Sequence, residues 1–178
     1  MVGVDLAGPE AGFPVTQHPA IARLAAMQPG APITLHAGEA AGVQSMWEAV
    51  NAGARRIGHG VRLIDDILAD RSLLAAIRER NSHLEICLSS NVQTGAVAQM
   101  DAHPLRRFLD EGVKVSLDAD NRLMSATSHS QEFDIARAQF GLSLSQMQTM
   151  TRHALDASFL PEVTRRAVLQ RYAGALAI

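Results

Sequence analysis

An α/β fold built on a parallel sheet is what this 178-residue sequence predicts, and three observations predict it. Short apolar, β-branched runs alternate with longer helix-like stretches. Five such runs recur, and the residues that close them, Asp5, His36, His59, Cys87 and Asp118, lie 23 to 31 positions apart, the length of a βα unit with short loops. Each run leads into a helical stretch, and parallel strands are covered by helices on their faces. Two architectures satisfy this pattern: an open doubly wound sheet, and part of a (β/α)8 barrel, whose full form takes about 250 residues. The glycine-rich nucleotide motifs of open sheets, Gly-x-Gly-x-x-Gly and Gly-Lys-Ser/Thr, are absent from the sequence.

The elements follow in order. Val2–Leu6, Ile33–Ala37, Arg56–His59, Leu84–Leu88 and Val113–Leu117 read as strands, from their apolar and β-branched content. His18–Met27 reads as a helix closed by Pro29-Gly30, and Gln44–Ala52 as one closed by Gly53. Asp65–Arg80 opens on two acids, which suit a helix N-terminus, and ends in Arg-Glu-Arg. Pro104–Asp110 stops at Glu-Gly. Beyond the fifth strand only helix is expected, over Ser130–Phe140, Ser143–Ser158 and Pro161–Ala173, the last with Pro in its first turn. Trp47, Phe108, Phe133 and Phe140 recur at helical spacing and read as core.

Composition narrows the class. With 47% hydrophobic residues and a net charge of −2 the chain is an ordinary globular unit, assigned as one domain over residues 1–178. A chain of this size buries about 70% of its unfolded surface, so the lone Cys87 has no disulfide to supply and reads as a small core residue. Lys114 is the one lysine, no basic run occurs and aromatic content is 4%, which argues against nucleic acid as a partner. No stretch of 18 apolar residues argues for a membrane span, and Asp5 stands where a secretion signal would be apolar, so the expected location is the cytoplasm. The charged fraction, 19% against a usual value of about 25%, implies extensive burial.

Polar residues at the strand ends carry the chemistry, because the C-terminal ends of parallel strands converge in space. His36-Ala-Gly-Glu39 offers an imidazole for a metal and, past a turn-permitting glycine, a carboxyl group for acid–base work. Taken alone it is equally a helix cap. Gly58-His59-Gly60 gives a histidine backbone freedom and close approach to a ligand, or a structural histidine in a tight turn. Asp118-Ala-Asp120-Asn121 crowds two carboxylates behind a buried strand, which calls for a cation or for hydrogen-bond partners; a solvated helix cap is the alternative. Asp5-Leu-Ala-Gly8 and Ser89-Ser90-Asn91 read as ordinary polar turns, and His18, His83, His103, His129 and His153 as surface or local structural residues. His36 and Asp120 together supply nitrogen and oxygen donors for zinc, with Glu39 and His59 near its water, but a catalytic zinc site takes three or more protein ligands and the sequence offers two convincing ones.

Six ordered motifs then resemble the adenosine deaminase family: Asp5-Leu-Ala-Gly8, His36-Ala-Gly-Glu39, Arg56-Ile-Gly-His-Gly-Val-Arg62, Leu84 to Gly95, His103-Pro104, and Val115-Ser-Leu-Asp-Ala-Asp-Asn121. The resemblance spans nearly the whole chain, to Pro161. It implies a zinc-dependent (β/α)8 barrel that hydrolyses the 6-amino group of adenosine or a related purine nucleoside, with the present strands as its fourth to eighth. By that resemblance His36 and Asp120 bind zinc, Glu39 protonates purine N1, His59 orients and helps deprotonate the attacking water, Gly8 meets the N3 side, and Asn121 faces N7.

The sequence departs from the family pattern in three places. Asn121 replaces a second aspartate, and its amide can donate to N7. Leu88 replaces a proline, and Asp118-Ala119 replaces Asn-Thr. The His-x-His pair that supplies two zinc ligands occurs nowhere in the chain. The expectation is therefore a C-terminal portion, truncated or read from a late start at Met1, binding zinc weakly and turning over poorly alone. The alternatives are a non-catalytic half-barrel that self-associates or pairs with a missing N-terminal segment through its edge strands, and a related adenine or other purine deaminase.

Overall fold

Five parallel strands, β1 (Val4–Leu6), β2 (Ile33–Ala37), β3 (Arg56–His59), β4 (His83–Ile86) and β5 (Val115–Leu117), form one sheet in the computed structural model, which describes residues 2–28 and 30–176. Their order in space is their order in sequence, each strand pairing in parallel with the next. A doubly wound sheet reverses direction at a switch point, whereas barrel strands step always to the same side. The unbroken order thus selects a partial (β/α)8 barrel over the open sheet. Met1 and Pro29, the latter read as a helix stop, lie outside the described residues.

The two-residue period of the strands separates two faces. Ile33, Leu35, Ala37, Ile57, Leu84, Ile86, Val115 and Leu117 are buried in one core with helix residues such as Met46, Leu74, Ile77 and Phe108. The opposite face carries polar side chains in register: Thr34 lies opposite Arg56, and Glu85 opposite both Gly58 and Ser116. Covering this sheet are α1 (Pro19–Met27), α2 (Val43–Asn51), α3 (Leu63–Ile67), α4 (Ser72–Glu79), α5 (Leu88–Gln93) and α6 (Leu105–Asp110). The C-terminal run is α7 (His129–Phe140), α8 (Leu144–Ala157), α9 (Glu162–Arg171) and α10 (Ala173–Leu176). Ser143 and Gln146 close a reciprocal capping box at the start of α8, which packs against β5 and β4.

Several boundaries differ from the sequence reading. The helix expected over Asp65–Arg80 is two helices, α3 and α4, broken where Arg71 takes a left-handed conformation at φ 64°. Asp66, read as an N-terminal acid of one long helix, instead accepts the N–H groups of Leu73 (3.0 Å) and Leu74 (2.9 Å) and so caps the second. Leu88, read as the end of a strand, opens α5; β4 stops at Ile86 and starts one residue early, at His83. Leu88 is fully buried at the first helical position, the place where the family's proline is also favoured. The expected Pro161–Ala173 helix ends at Arg171 as α9, and a further turn, α10, begins at Ala173. Past α8 the chain returns under the first strands: the Phe159 ring stacks on the Arg56 guanidinium, 4.0 Å from its centroid, and lies so close to Gly3 that no Cβ fits there.

Candidate active site

The turn after β2 is the best anchored part of the site. His36 lies on the polar face near the end of the strand, Gly38 turns the chain at φ 73°, and a Cβ on Gly38 would fall 2.6 Å from Met46, so only glycine fits. Glu10, in the loop after β1, accepts the backbone N–H groups of Gly38, Glu39 (2.9 Å) and Ala40 (2.7 Å), together with the Ser45 hydroxyl. Burial alone would raise the Glu10 pKa; those hydrogen bonds outweigh it and hold the carboxyl below its usual range. The sequence reading missed Glu10, since a single acid two residues past Gly8 carries no motif.

Glu39, His36 and His59 come together at this end of the sheet, as the strand-end argument requires. Glu39 Oε2 lies 3.3 Å from His36 Nε2, Glu39 Oε1 lies 3.5 Å from His59 Nδ1, and the two imidazole rings are tilted with centroids 4.5 Å apart. His59 closes β3 at φ 65°, a conformation uncommon for a side chain of its size. Asn91 on α5, read earlier as an ordinary turn residue, is fully buried and donates from Nδ2 to Glu39 Oε1 (3.1 Å) and to His59 Nδ1 (2.9 Å). Thr94 adds its hydroxyl to Glu39 Oε1 at 2.9 Å. His103, read as a surface or local residue, is buried behind Asn91 with Nε2 at 3.2 Å from its Oδ1.

The loop after β5 reaches the same place. Asp120, at φ 50°, accepts the Ser90 hydroxyl at 2.7 Å. Asp118 accepts from Ser116 Oγ at 2.7 Å, which is itself 2.9 Å from the buried His83 Nε2. His36, His59, Glu85, Asp118 and Asp120 line one cavity of about 330 Å³. Gly8 lines a neighbouring cavity of about 430 Å³ that also touches Glu10 and His36. Asn121 is exposed, with its Oδ1 taken by the Met124 N–H (3.1 Å), which leaves its amide protons free to donate. Gly8 and Asn121 thus sit at the rim, outside the hydrogen-bonded cluster.

Electrostatics divide the roles. Burial raises the Glu39 pKa, but His36, His59 and Thr94 together outweigh it and hold the group at about 2, so it is a carboxylate as it stands. The Glu39 hydrogen bond raises His36, whereas burial lowers His59 and keeps it neutral. Burial, reinforced by Asp118 and Asp5 against the opposing Arg56, pushes Glu85 up to about 7. Burial likewise pushes the Cys87 thiol up; the side chain, read as a core residue, instead lines the same cavity as His36 and Asp120, since it alternates with the core-facing Ile86.

The donor set suits zinc chemistry. Ligand atoms of His36, Glu39 and His59 all lie within 4.8 Å of one another. Asp120, whose carboxylate accepts from Ser90, is not one of that close group but lines the same cavity as His36 and His59. A catalytic zinc takes three or more protein ligands.

Comparison with known proteins places this arrangement. A family model described as Adenosine deaminase matches residues 1–174. An adenosine deaminase of Mycobacterium sp. (strain KMS) is 42% identical over 181 residues, covering 95% of this chain and 49% of that protein. Among solved structures, Arabidopsis ADAL complexed with IMP superposes with a TM-score of 0.83 at 26% identity, over 99% of this chain and 50% of the other. An adenine deaminase from Arthrobacter aurescens superposes with a TM-score of 0.88 over 100% of this chain and 53% of its own; at 23% identity that likeness speaks for the fold alone. The chain spans about half the length of the curated relatives it matches. No helix among the described residues is long and apolar enough to cross a membrane. The matched motifs, the unreversed parallel sheet and the convergence of His36, Glu39 and His59 agree, and the chain belongs to the adenosine deaminase family.

Proposed function

We propose that this chain supplies the purine-facing, proton-handling part of a zinc-dependent deaminase that hydrolyses adenosine to inosine, or deoxyadenosine to deoxyinosine, with release of ammonia, in cytoplasmic purine salvage. The observation that carries this reading is the junction of Glu39 with His36 and His59 at the C-terminal end of a parallel sheet. His36 and Asp120 are the residues that would hold the metal. Bound zinc lowers the pKa of its water toward 7 and so makes hydroxide available at neutral pH.

The chain's own residues handle the rest. Attack at C6 develops charge on N1, and Glu39 is the group placed to return a proton there. His36 Nε2 serves either Glu39 or a metal; given to the metal, it removes a major cause of the depressed Glu39 pKa, and burial then acts to raise it toward the proton-donating range. His59 lines the cavity beside Asp120 and orients the attacking oxygen. Gly8, lining the adjoining cavity, leaves its backbone open to the N3 side, and the free amide protons of Asn121 match the acceptor at N7.

Completion of the site by another polypeptide is part of the reading. Each margin of the sheet is a strand paired on one side only, β1 at one and β5 at the other. Phe13 follows β1, and Leu123 and Met124 follow β5; all three are exposed apolar residues. The test is to purify the chain alone and with a co-expressed N-terminal segment carrying His-x-His, then to measure zinc content and loss of adenosine absorbance, with adenine as the competing substrate. Weak zinc uptake alone and deamination only with the segment are expected. Stoichiometric zinc and fast turnover by the chain alone would remove the need for completion, and no turnover in either form would sink the deaminase reading.

A further inference from the structure

We infer that His103 and Asn91 are positioning residues that lock His59 into its Nε2–H tautomer, so that His59 meets the reacting oxygen as a hydrogen-bond donor. The inference rests on the deaminase reading for its use and on donor–acceptor accounting for its substance. Leu105 N–H can only donate, and it points at His103 Nδ1 from 3.1 Å, so that nitrogen carries no proton. Burial lowers the His103 pKa to about 4 and keeps the ring neutral, which puts its one proton on Nε2. The Asn91 atom 3.2 Å from it must therefore be the amide oxygen.

The other end of the amide follows from this orientation. With its oxygen toward His103, the amide turns its NH2 group to the other end, 3.1 Å from Glu39 Oε1. That group also lies 2.9 Å from His59 Nδ1, which is consequently an acceptor without a proton. An imidazole that accepts at Nδ1 bears its proton on Nε2, the nitrogen left for the cavity that it shares with His36 and Asp120. Phe140 stands edge-on to His103 at 6.0 Å, and His103 and Asn91 are both buried, so the relay has little freedom to rotate.

The consequence for the reaction concerns a proton. A histidine that presents N–H can orient an attacking oxygen and stabilise its negative charge, but it has no lone pair there to take the water's proton. That proton falls to a carboxylate lining the same cavity, and of the two roles expected of His59, orienting the water and helping to deprotonate it, this tautomer serves the first.

The test is NMR of the 15N-labelled full chain, reading which ring nitrogen of each histidine is protonated at neutral pH without added metal. Protonated Nε2 and bare Nδ1 are expected for both His59 and His103. Asn91→Asp removes the donor and offers only an acceptor, so His59 is expected to shift its proton to Nδ1. His103→Phe releases the amide and gives a mixture of His59 tautomers, whereas His103→Gln, which keeps a donor toward Asn91, restores the single form. Nδ1–H on His59 in the unaltered chain would overturn the inference, as would a His59 tautomer that neither Asn91→Asp nor His103→Phe moves. Should Asn91→Asp fail to fold, the unaltered spectrum and the His103 pair decide. Failure of the deaminase reading shows separately, as absence of turnover in the co-expressed complex, and leaves the imidazole signals readable.

Discussion

Ala40 donates its backbone N–H to Glu10 across 2.7 Å, tying the loop after β1 to the turn that carries Glu39. Hydrogen bonds to a charged acceptor contribute about 1.5–3 kcal/mol each and are not additive within one cluster. Glu10→Ala is expected to cost about 3–5 kcal/mol in urea denaturation. Glu10→Gln, which turns one acceptor into a donor facing these N–H groups, is expected to recover less than half of the loss. A loss below about 1 kcal/mol in both variants would show that the turn holds itself.

Asp66 poses the same question for the break between α3 and α4. It is 3% exposed and receives two N–H groups, so Asp66→Ala leaves both unsatisfied in a buried place and is expected to cost about 2–4 kcal/mol. Asp66→Asn keeps one acceptor and is expected to lie midway. Thermal unfolding of the two variants beside the parent checks the order.

Gly38→Ala combines two penalties at one atom. The left-handed backbone costs about 1–2 kcal/mol for a residue with a Cβ, and the clash with Met46 adds about 1–3 kcal/mol. A loss of about 2–5 kcal/mol is expected by denaturant titration. Gly95→Ala, at φ 76° with nothing within 4 Å of the added carbon, is the control and is expected to show the backbone part alone.

Acid stability isolates Glu85. Burial, with help from Asp118 and Asp5, raises its pKa from the usual 4.5 to about 7, so between those values the folded chain holds a proton that the unfolded chain has lost. The contribution of Glu85 therefore grows as pH falls from 7 to 4.5, by about 1.4 kcal/mol per unit. His83 and His103 act in the opposite sense: burial lowers them from 6.5 to about 3 and about 4, so the unfolded chain binds more protons and stability falls as pH drops below 6.5. Glu85→Gln removes the compensating group and is expected to steepen the acid loss over pH 6.5 to 4.5 by about 1.4 kcal/mol per unit. Parallel slopes for parent and variant would mean that Glu85 ionises normally.

The sequence made legible whatever one strand and its own end could express. The βα spacing, the apolar faces of β2 and β4, and His36, Glu39, His59 and Asp120 at strand ends were all visible, because each depends on neighbours within a few residues. Glu10, Asn91 and His103 were not, because their meaning lies in partners 28 to 52 positions away or, for His103, in an amide that looks like a turn residue. The break between α3 and α4 did leave a trace: Asp70 accepts from both the Ser72 N–H and the Ser72 hydroxyl, and an Asp-x-Ser inside a presumed helix is a restart signal. The tautomer logic of the site could not be read at all, since it exists only once Leu105, His103, Asn91 and Glu39 are in place together.

The contact between Gly3 and Phe159 bears on how the chain folds. Neighbouring strands are consecutive in sequence, so the sheet can grow one unit at a time with modest loop entropy. Phe159 meeting Gly3 and Arg56 is different, because it brings the last third of the chain back to the first strands. Phe159 meets both where β1 and β3 flank β2 in the sheet. It acts as a latch across the first three strands, tying the segment after α8 to the N-terminal margin of the sheet.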